Sequence, residues 1–367
     1  MAYSPRLWNA SGLEFSTAEL TGALGDSVTV LPLLVALAAT TSVSLPHVLV
    51  GFGVFQIVWG LYYGMPLSVE PMKALIGLAI VGSLSYPELA AAGLLAGGVL
   101  LALGNLGLVG RIQTVVGEPV IRGVQFAVAL LLLEAAVGLS SGSLPTAVAG
   151  LAVVGMLAVV GYRQVSVLLV LGLGGSVAVV TAGLPAPQMP APVLFPAGTP
   201  SLSGAALEGT VAQLGMTVGN AAIATALLCG DLYDRNVSPD TLSTSMGVTC
   251  LAAIPIGGIP MCHGSGGLAG KYAFGARTGG ANIILGVGYL ALALVATGAL
   301  LAAFPLSILG VLLVVVALEL ARAAVSPVDG HRGIAVVVGV GIVGVAVNVG
   351  VAFVLGTVAF WFVSQRE

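Results

Sequence analysis

Charge is what this chain has least of. Only 7% of its 367 residues are charged and 58% are hydrophobic, whereas a soluble domain carries about 25% charged residues. A water-facing surface cannot be built from so few charges, so most of the surface must face lipid. The net charge of −3 is too small to point to a nucleic-acid partner. Cysteine is equally scarce. Cys229, Cys250 and Cys262 all lie in or beside apolar segments, which excludes a disulfide framework. Cys262-His263 has no further ligand at a usable spacing, so no metal site is expected, and no cofactor either. The start, MAYSPRLWNASGLEF, lacks the charged and apolar regions of a signal peptide. No long polar stretch marks a second domain at either end. What is abundant is glycine, 53 residues, which fits a membrane bundle because small residues let helices approach closely.

At about 20 residues per crossing, the apolar runs and their polar or Gly/Pro punctuation predict fourteen segments. The first seven are 21–41, 46–62, 66–83, 87–107, 119–140, 144–161 and 165–182; the second seven are 207–230, 240–257, 260–277, 280–302, 306–324, 331–346 and 348–364. This gives an N-terminal segment 1–20, a first membrane repeat 21–182, an extracellular Pro-rich loop 183–206 and a second repeat 207–364. With both termini cytoplasmic, Arg6, Arg111, Arg122, Arg163, Arg235, Lys271, Arg277, Arg322, Arg332 and Arg366 fall on the cytoplasmic side, ten of the eleven basic residues. The eleventh, Lys73, stays inside the membrane. The bias predicts a multi-pass plasma-membrane protein and depends on counting 66–83 and 260–277 as crossings.

A shift of 194 residues aligns 19–75 with 213–269 without a gap, with ten of 57 positions identical. The placement weighs more than the count. Glu19 meets Gln213, Gly25-Asp26 meets Gly219-Asn220, and Gly64-Met-Pro66 meets Gly258-Ile-Pro260. Seven is odd, so two such repeats must lie inverted, an architecture of many secondary transporters.

Proline breaks the third and tenth segments. In Gly64-Met-Pro-Leu-Ser-Val-Glu-Pro-Met-Lys-Ala-Leu75, Pro66 and Pro71 forbid a continuous helix. Residues 65–70 are predicted extended, with a half-helix from Pro71 to about Gly82. In Gly258-Ile-Pro-Met-Cys-His-Gly-Ser-Gly-Gly-Leu-Ala269, chain extended over Pro260–His263 leads into a helix from Gly264–Gly266. Two half-helix N-termini then face each other, each with unpaired N–H groups and roughly +0.5 charge. The glycines Gly264, Gly266 and Gly267 would let an anion reach the backbone. Ser68 and Ser265 add hydroxyl donors and Lys73 a full charge, about +2 in all, which suits a small dianion. The same residues also admit a structural reading, with the glycines serving packing and Lys73 the i,i+3 partner of Glu70.

At these residues the sequence resembles the molybdate transporter family, distant relatives of the sulfate permeases. The matching stretches are Gly22-Ala-Leu-Gly-Asp26 with Leu31-Pro32, Glu70-Pro-Met-Lys-Ala74, and Pro260-Met-Cys-His-Gly-Ser-Gly-Gly-Leu-Ala269 continuing to Phe274-Gly-Ala-Arg-Thr-Gly279. Arg122-Gly-Val-Gln125 and Gln213–Asn220 also look like family positions. The resemblance implies the sulfate-permease and uracil-permease fold, an all-α integral membrane protein of seven plus seven inverted segments whose third and tenth are part strand, part helix. It implies uptake of molybdate, with sulfate or tungstate as alternatives, and a fold that commonly forms homodimers. The family pattern has Gln where this chain has Glu70, and Gln where it has Lys271. Sulfate permeases usually carry a C-terminal regulatory domain, and a chain ending at Glu367 is expected to belong to the molybdate branch.

The expected substrate site is therefore Asp26, Ser68, Glu70, Met72, Lys73, Asn220, His263, Gly264, Ser265, Gly266 and Gly267. Glu70 or Asp26 would take up a proton when the anion binds, since a carboxylate beside a dianion has its pKa raised. Intramembrane charge defaults to function; Glu134, with no repeat partner, receives no role. A nucleobase–proton symporter and a passive anion channel of the same fold remain alternatives. An intramembrane protease would need a nucleophile–base pair or a metal set, and Asp26 with Glu70 is the only acid pair on offer.

Overall fold

A computed structural model describes residues 12–111, 117–328 and 330–364; Arg6, Arg366 and most of the expected N-terminal segment lie outside these. The described chain is mostly helical. The first half runs α1 (Thr17–Thr40), α2 (Leu45–Tyr63), β1 (Glu70–Pro71), α3 (Lys73–Ile80), α4 (Tyr86–Leu106), α5 (Glu118–Ser140), α6 (Leu144–Val159) and α7 (Arg163–Ala182). The second runs α8 (Gly204–Tyr233), α9 (Pro239–Ala253), β2 (Met261–Cys262), α10 (Ser265–Ala273), α11 (Gly280–Val295), α12 (Gly298–Ala303), α13 (Leu306–Val325), α14 (Gly330–Ala346) and α15 (Val349–Ser364). Among the described residues, seven helices are long and apolar enough to cross a membrane. Their outer faces keep large apolar side chains exposed, as with Leu169, Leu173 and Val180 on α7, a surface that lipid covers and water would penalise.

Helix starts follow local capping chemistry. Ser16 accepts from Glu19 N–H ahead of α1, and Ser85 with Glu88 forms a reciprocal capping box ahead of α4. Two expectations are corrected. The segment 280–302 is not one helix, because Thr297 caps a new helix by accepting from Leu300 N–H, separating α11 from α12. Pro71 is not the first residue of a helix. It pairs with Met261 in β1, and Met72 N–H donates to Pro260 O at 2.9 Å, so the strand ladder persists and α3 begins only at Lys73.

Packing is set by glycine contacts that cross between the halves. On α2, a Cβ at Gly53 would meet Gly286 O of α11 at 2.8 Å; on α9, a Cβ at Gly247 would meet Gly97 O of α4 at 2.7 Å. Gly53 and Gly247 are matched by the 194-residue shift. Thus α2 of the first half packs on α11 of the second, while its counterpart α9 packs on α4 of the first. The stretch 183–203 straps the ends of four elements. Gln188 N–H donates to Leu294 O, Phe195 N–H to Pro255 O and Ser201 N–H to Pro87 O, while His47 Nε2 meets Ala191 O at 2.9 Å.

The short β1–β2 sheet is antiparallel, with Glu70 opposite Cys262 and Pro71 opposite Met261. It brings the starts of α3 and α10 together at the centre of the molecule, against α1. Extended backbone in an apolar interior must have every polar group satisfied. Side chains from several helices do this for residues 67–69. Asn282 Nδ2 donates to Leu67 O at 2.6 Å, His263 Nδ1 lies 3.0 Å from Ser68 O, and Gln56 Nε2 donates to Val69 O at 3.2 Å.

Candidate functional site

Four charges surround the strand pair, three of them buried and Lys73 partly so, and they cancel. Lys271 Nζ lies 3.1 Å from Asp26 Oδ2 with both side chains fully buried. Lys271 also donates to Asn282 Oδ1 at 2.7 Å and Gln56 Oε1 at 3.2 Å; Asp26 accepts from Ser68 Oγ at 2.6 Å and Gln56 Nε2 at 3.2 Å. The second pair is Glu70 with Lys73, and Glu70 Oε1 accepts from Gly267 N–H at 2.8 Å. The expectation that Lys271 sits at the cytoplasmic side is corrected. Its position on α10 faces α1, where Asp26 requires a counter-charge.

The glycines at the start of α10 have a different job from leaving the backbone open to an anion. A Cβ on Gly264 or Gly267 would collide with the Glu70 carboxylate, and one on Gly267 also with Ser68 and Asp26. They make room for the protein's own carboxylate, which occupies the N-terminal end of α10 where negative charge is favoured. The corresponding end of α3 is also occupied, because Gln213 Oε1 accepts from Ala74 N–H at 2.9 Å and Leu75 N–H at 3.3 Å. Gly266 differs, since a Cβ there would meet nothing within 4 Å. Gly267→Ala is therefore expected to destabilise the folded protein by the ~1–3 kcal/mol typical of overpacking, and Gly266→Ala to leave stability unchanged. Thermal unfolding of the two variants in detergent checks this; equal melting temperatures would contradict the account of the glycines.

A cavity of about 320 Å³ adjoins this centre. One wall comes from α1, α3, α8 and α10 and carries Thr29, Lys73, Asn220, Ser265, Gly266 and Gly267. The other comes from α5 and α13 and carries Arg122, Gln125 and Glu319. Asn220 stands in a π-helical stretch, Thr217–Ala224, the kind of irregularity often found at functional sites. Its Oδ1 accepts from Ser265 Oγ at 2.6 Å, which fixes both polar groups on the cavity wall. Glu319 is ion-paired with Arg163.

Of the expected site residues, the cavity brings together Lys73, Asn220, Ser265, Gly266 and Gly267. The others stand behind that wall. Asp26 is committed to Lys271, Ser68 donates to Asp26, and Met72 is fully buried in the apolar core. His263 was expected to shape the anion pocket, but it is held between Ser68 O and Ser245 Oγ, with Nε2 2.7 Å from that hydroxyl. Glu134 faces outward on α5. In the sequence Arg122 figures as a family-like position and a cytoplasmic charge and Gln125 as a family-like position; Thr29 and Glu319 carry no local signal, because only tertiary packing brings α1 and α13 to one cavity.

This chain has a membrane transporter fold. It superposes on the transmembrane domain of a cyanobacterium bicarbonate transporter, BicA, with a TM-score of 0.67 at 18% identity, over 95% of this chain and 100% of that one. It superposes on the murine Solute Carrier 26 family member A9 anion transporter in the inward-facing state with a TM-score of 0.72 at 12% identity, over 99% of this chain and 69% of that one. In sequence, the family described as "Molybdate transporter of MFS superfamily" matches residues 18–132 and 205–320. Molybdate transporters 1 and 2 of Arabidopsis thaliana are each 30% identical, over 84% of this chain and 79% of their own length. Molybdate transporter 1 of Chlamydomonas reinhardtii is 27% identical over 96% of this chain and 92% of its own. The chain belongs to the molybdate transporter family.

Proposed function

We propose that this protein takes up molybdate by secondary active transport, with the anion bound in the cavity beside Lys73, Asn220, Ser265 and Gly266. The observation that carries this reading is Lys73. It is a lysine in a membrane protein's interior, 14% exposed, paired with Glu70 and lining the cavity, and a charge held at that depth defaults to function. Beside it, Asn220, held by the Ser265 hydroxyl, and Gly266 give the cavity a polar, uncrowded wall on which an anion could rest. Sulfate and tungstate share the charge and shape of molybdate and are the alternative substrates. The nucleobase alternative draws less support, because the Glu70 carboxylate that would bind a base ring is turned to Lys73 and Gly267. Equilibrium binding of molybdate against uracil to the purified protein separates the two. Molybdate binding is expected, and uracil binding in its place would overturn the reading.

Glu70 supplies a route to proton coupling. In the empty site it neutralises Lys73. An arriving dianion would compete for that ammonium and leave Glu70 a buried carboxylate beside negative charge, a setting that favours its protonation. The expected result is that Glu70→Gln transports with a flattened response to an imposed pH gradient. A pH dependence equal to that of the parent would remove Glu70 from proton coupling.

The inverted seven-plus-seven arrangement is part of the same proposal. It is supported by the crosswise packing of α2 on α11 and α9 on α4, and by the strap joining ends that the alternation of spans puts on one side. On that alternation, the ends of α5 and α13 that carry Arg122 and Ala323 lie on the cytoplasmic side, so the cavity would face inward. Alternating access would then move the α5–α13 wall against the wall bearing Lys73.

A further inference from the structure

We propose that Arg122 is the second cation of the substrate site, presented by the opposite wall, and that a bound dianion bridges it to Lys73. The inference rests on the reading of this cavity as an oxyanion site. Lys73 and Arg122 line the same cavity but belong to different helix groups, α3 with α1, α8 and α10 on one side and α5 with α13 on the other. Each is held by a carboxylate one turn earlier on its own segment, Lys73 by Glu70 and Arg122 by Glu118.

The two pairs differ in strength. Glu70 is buried, whereas the side chain of Glu118 is 56% exposed, so its hold on Arg122 is screened and weak. The guanidinium is nevertheless fixed in place. Nη1 donates to Gln125 Oε1 at 3.2 Å and to Ala323 O at 3.3 Å, while Nε and Nη2 reach Glu118 Oε1 at 3.3 and 3.2 Å. The other charged group on this wall, Glu319, is taken by Arg163. Arg122 is thus the cation with which the α5–α13 wall faces Lys73.

At roughly 30 Å³ per water, 320 Å³ holds about ten waters. A five-atom oxyanion would enter with part of its hydration, so a snug fit does not select it. Charge on both walls does. A dianion can satisfy two cations at once, and a planar guanidinium suits two oxyanion oxygens; a monoanion can satisfy only one. The same bridge would draw the two walls together only when the substrate is present.

Uptake kinetics of labelled molybdate in proteoliposomes, with sulfate and nitrate as competitors, test the inference. Arg122→Gln is expected to raise KM roughly tenfold, the loss of one charge-assisted contact, and to weaken competition by sulfate more than by nitrate. Arg122→Lys, which keeps the charge and loses the fork, is expected to fall between the parent and the glutamine variant. An unchanged KM in Arg122→Gln overturns the proposal. So does a lysine variant as impaired as the glutamine variant with the sulfate-to-nitrate ratio unchanged, because that pattern belongs to a packing role. A parent protein that transports no dianion would instead overturn the functional reading itself, and this inference with it.

Discussion

Replacing Lys271 with methionine is expected to lower stability by about 3–5 kcal/mol, the cost of leaving one member of a buried ion pair alone. Lys271 and Asp26 are both fully buried, and their remaining donors and acceptors are taken by Gln56, Ser68 and Asn282. Removing the ammonium strands the carboxylate among apolar helices. The double variant Asp26→Asn/Lys271→Met carries no stranded charge and is expected to recover most of the loss, since a buried pair replaced as a pair is often close to neutral. Thermal unfolding of the three proteins in detergent measures this. If the single and double variants unfold together, the pair is not what holds α1 against α10.

Lys73 carries the other large expected effect, and there stability and transport should separate. Lys73→Met leaves Glu70 buried with Gly267 N–H as its one remaining donor among the described residues, so it is expected both to destabilise the protein and to abolish uptake. Loss of a buried, charge-paired ligand contact costs on the order of 2–5 kcal/mol, a fall of roughly thirtyfold or more. Glu70→Gln/Lys73→Met removes both charges and is expected to restore folding while uptake stays absent. Restoration of both would make Lys73 a structural partner of Glu70 and nothing more. Initial uptake rates alongside unfolding temperatures distinguish the two.

The sequence was legible where local chemistry decides the outcome. Proline at 66 and 260 marks where helix gives way to extended chain, whereas Pro71, expected to open a helix, lies in the strand; apolar runs set most helix bounds to within a few residues. Thr297 was overlooked because a single capping residue inside an apolar run is a weak signal. Charges were harder to place. The count of basic residues puts Lys271, within the 260–277 segment, on the cytoplasmic side. Only the approach of α1 to α10 gives it Asp26. The glycines of the tenth segment misled in the same way. Local pattern suggests space for a ligand at all of them, and at Gly264 and Gly267 that space is filled by the Glu70 carboxylate, 194 residues or more away in sequence, while Gly266 stays open. Arg122 shows the reverse case. Local reading places it at the cytoplasmic end of the 119–140 segment, and tertiary packing of α5 on α13 puts it on the cavity wall.

The central claim is that this cavity carries a tetrahedral dianion across a membrane. Uptake of radiolabelled molybdate by vesicles containing the purified protein, with sulfate and tungstate as competitors, addresses it most directly. Saturable uptake that both competitors reduce, and that is lost in Lys73→Met, is the expected result. Absence of saturable molybdate uptake by the parent protein would contradict it.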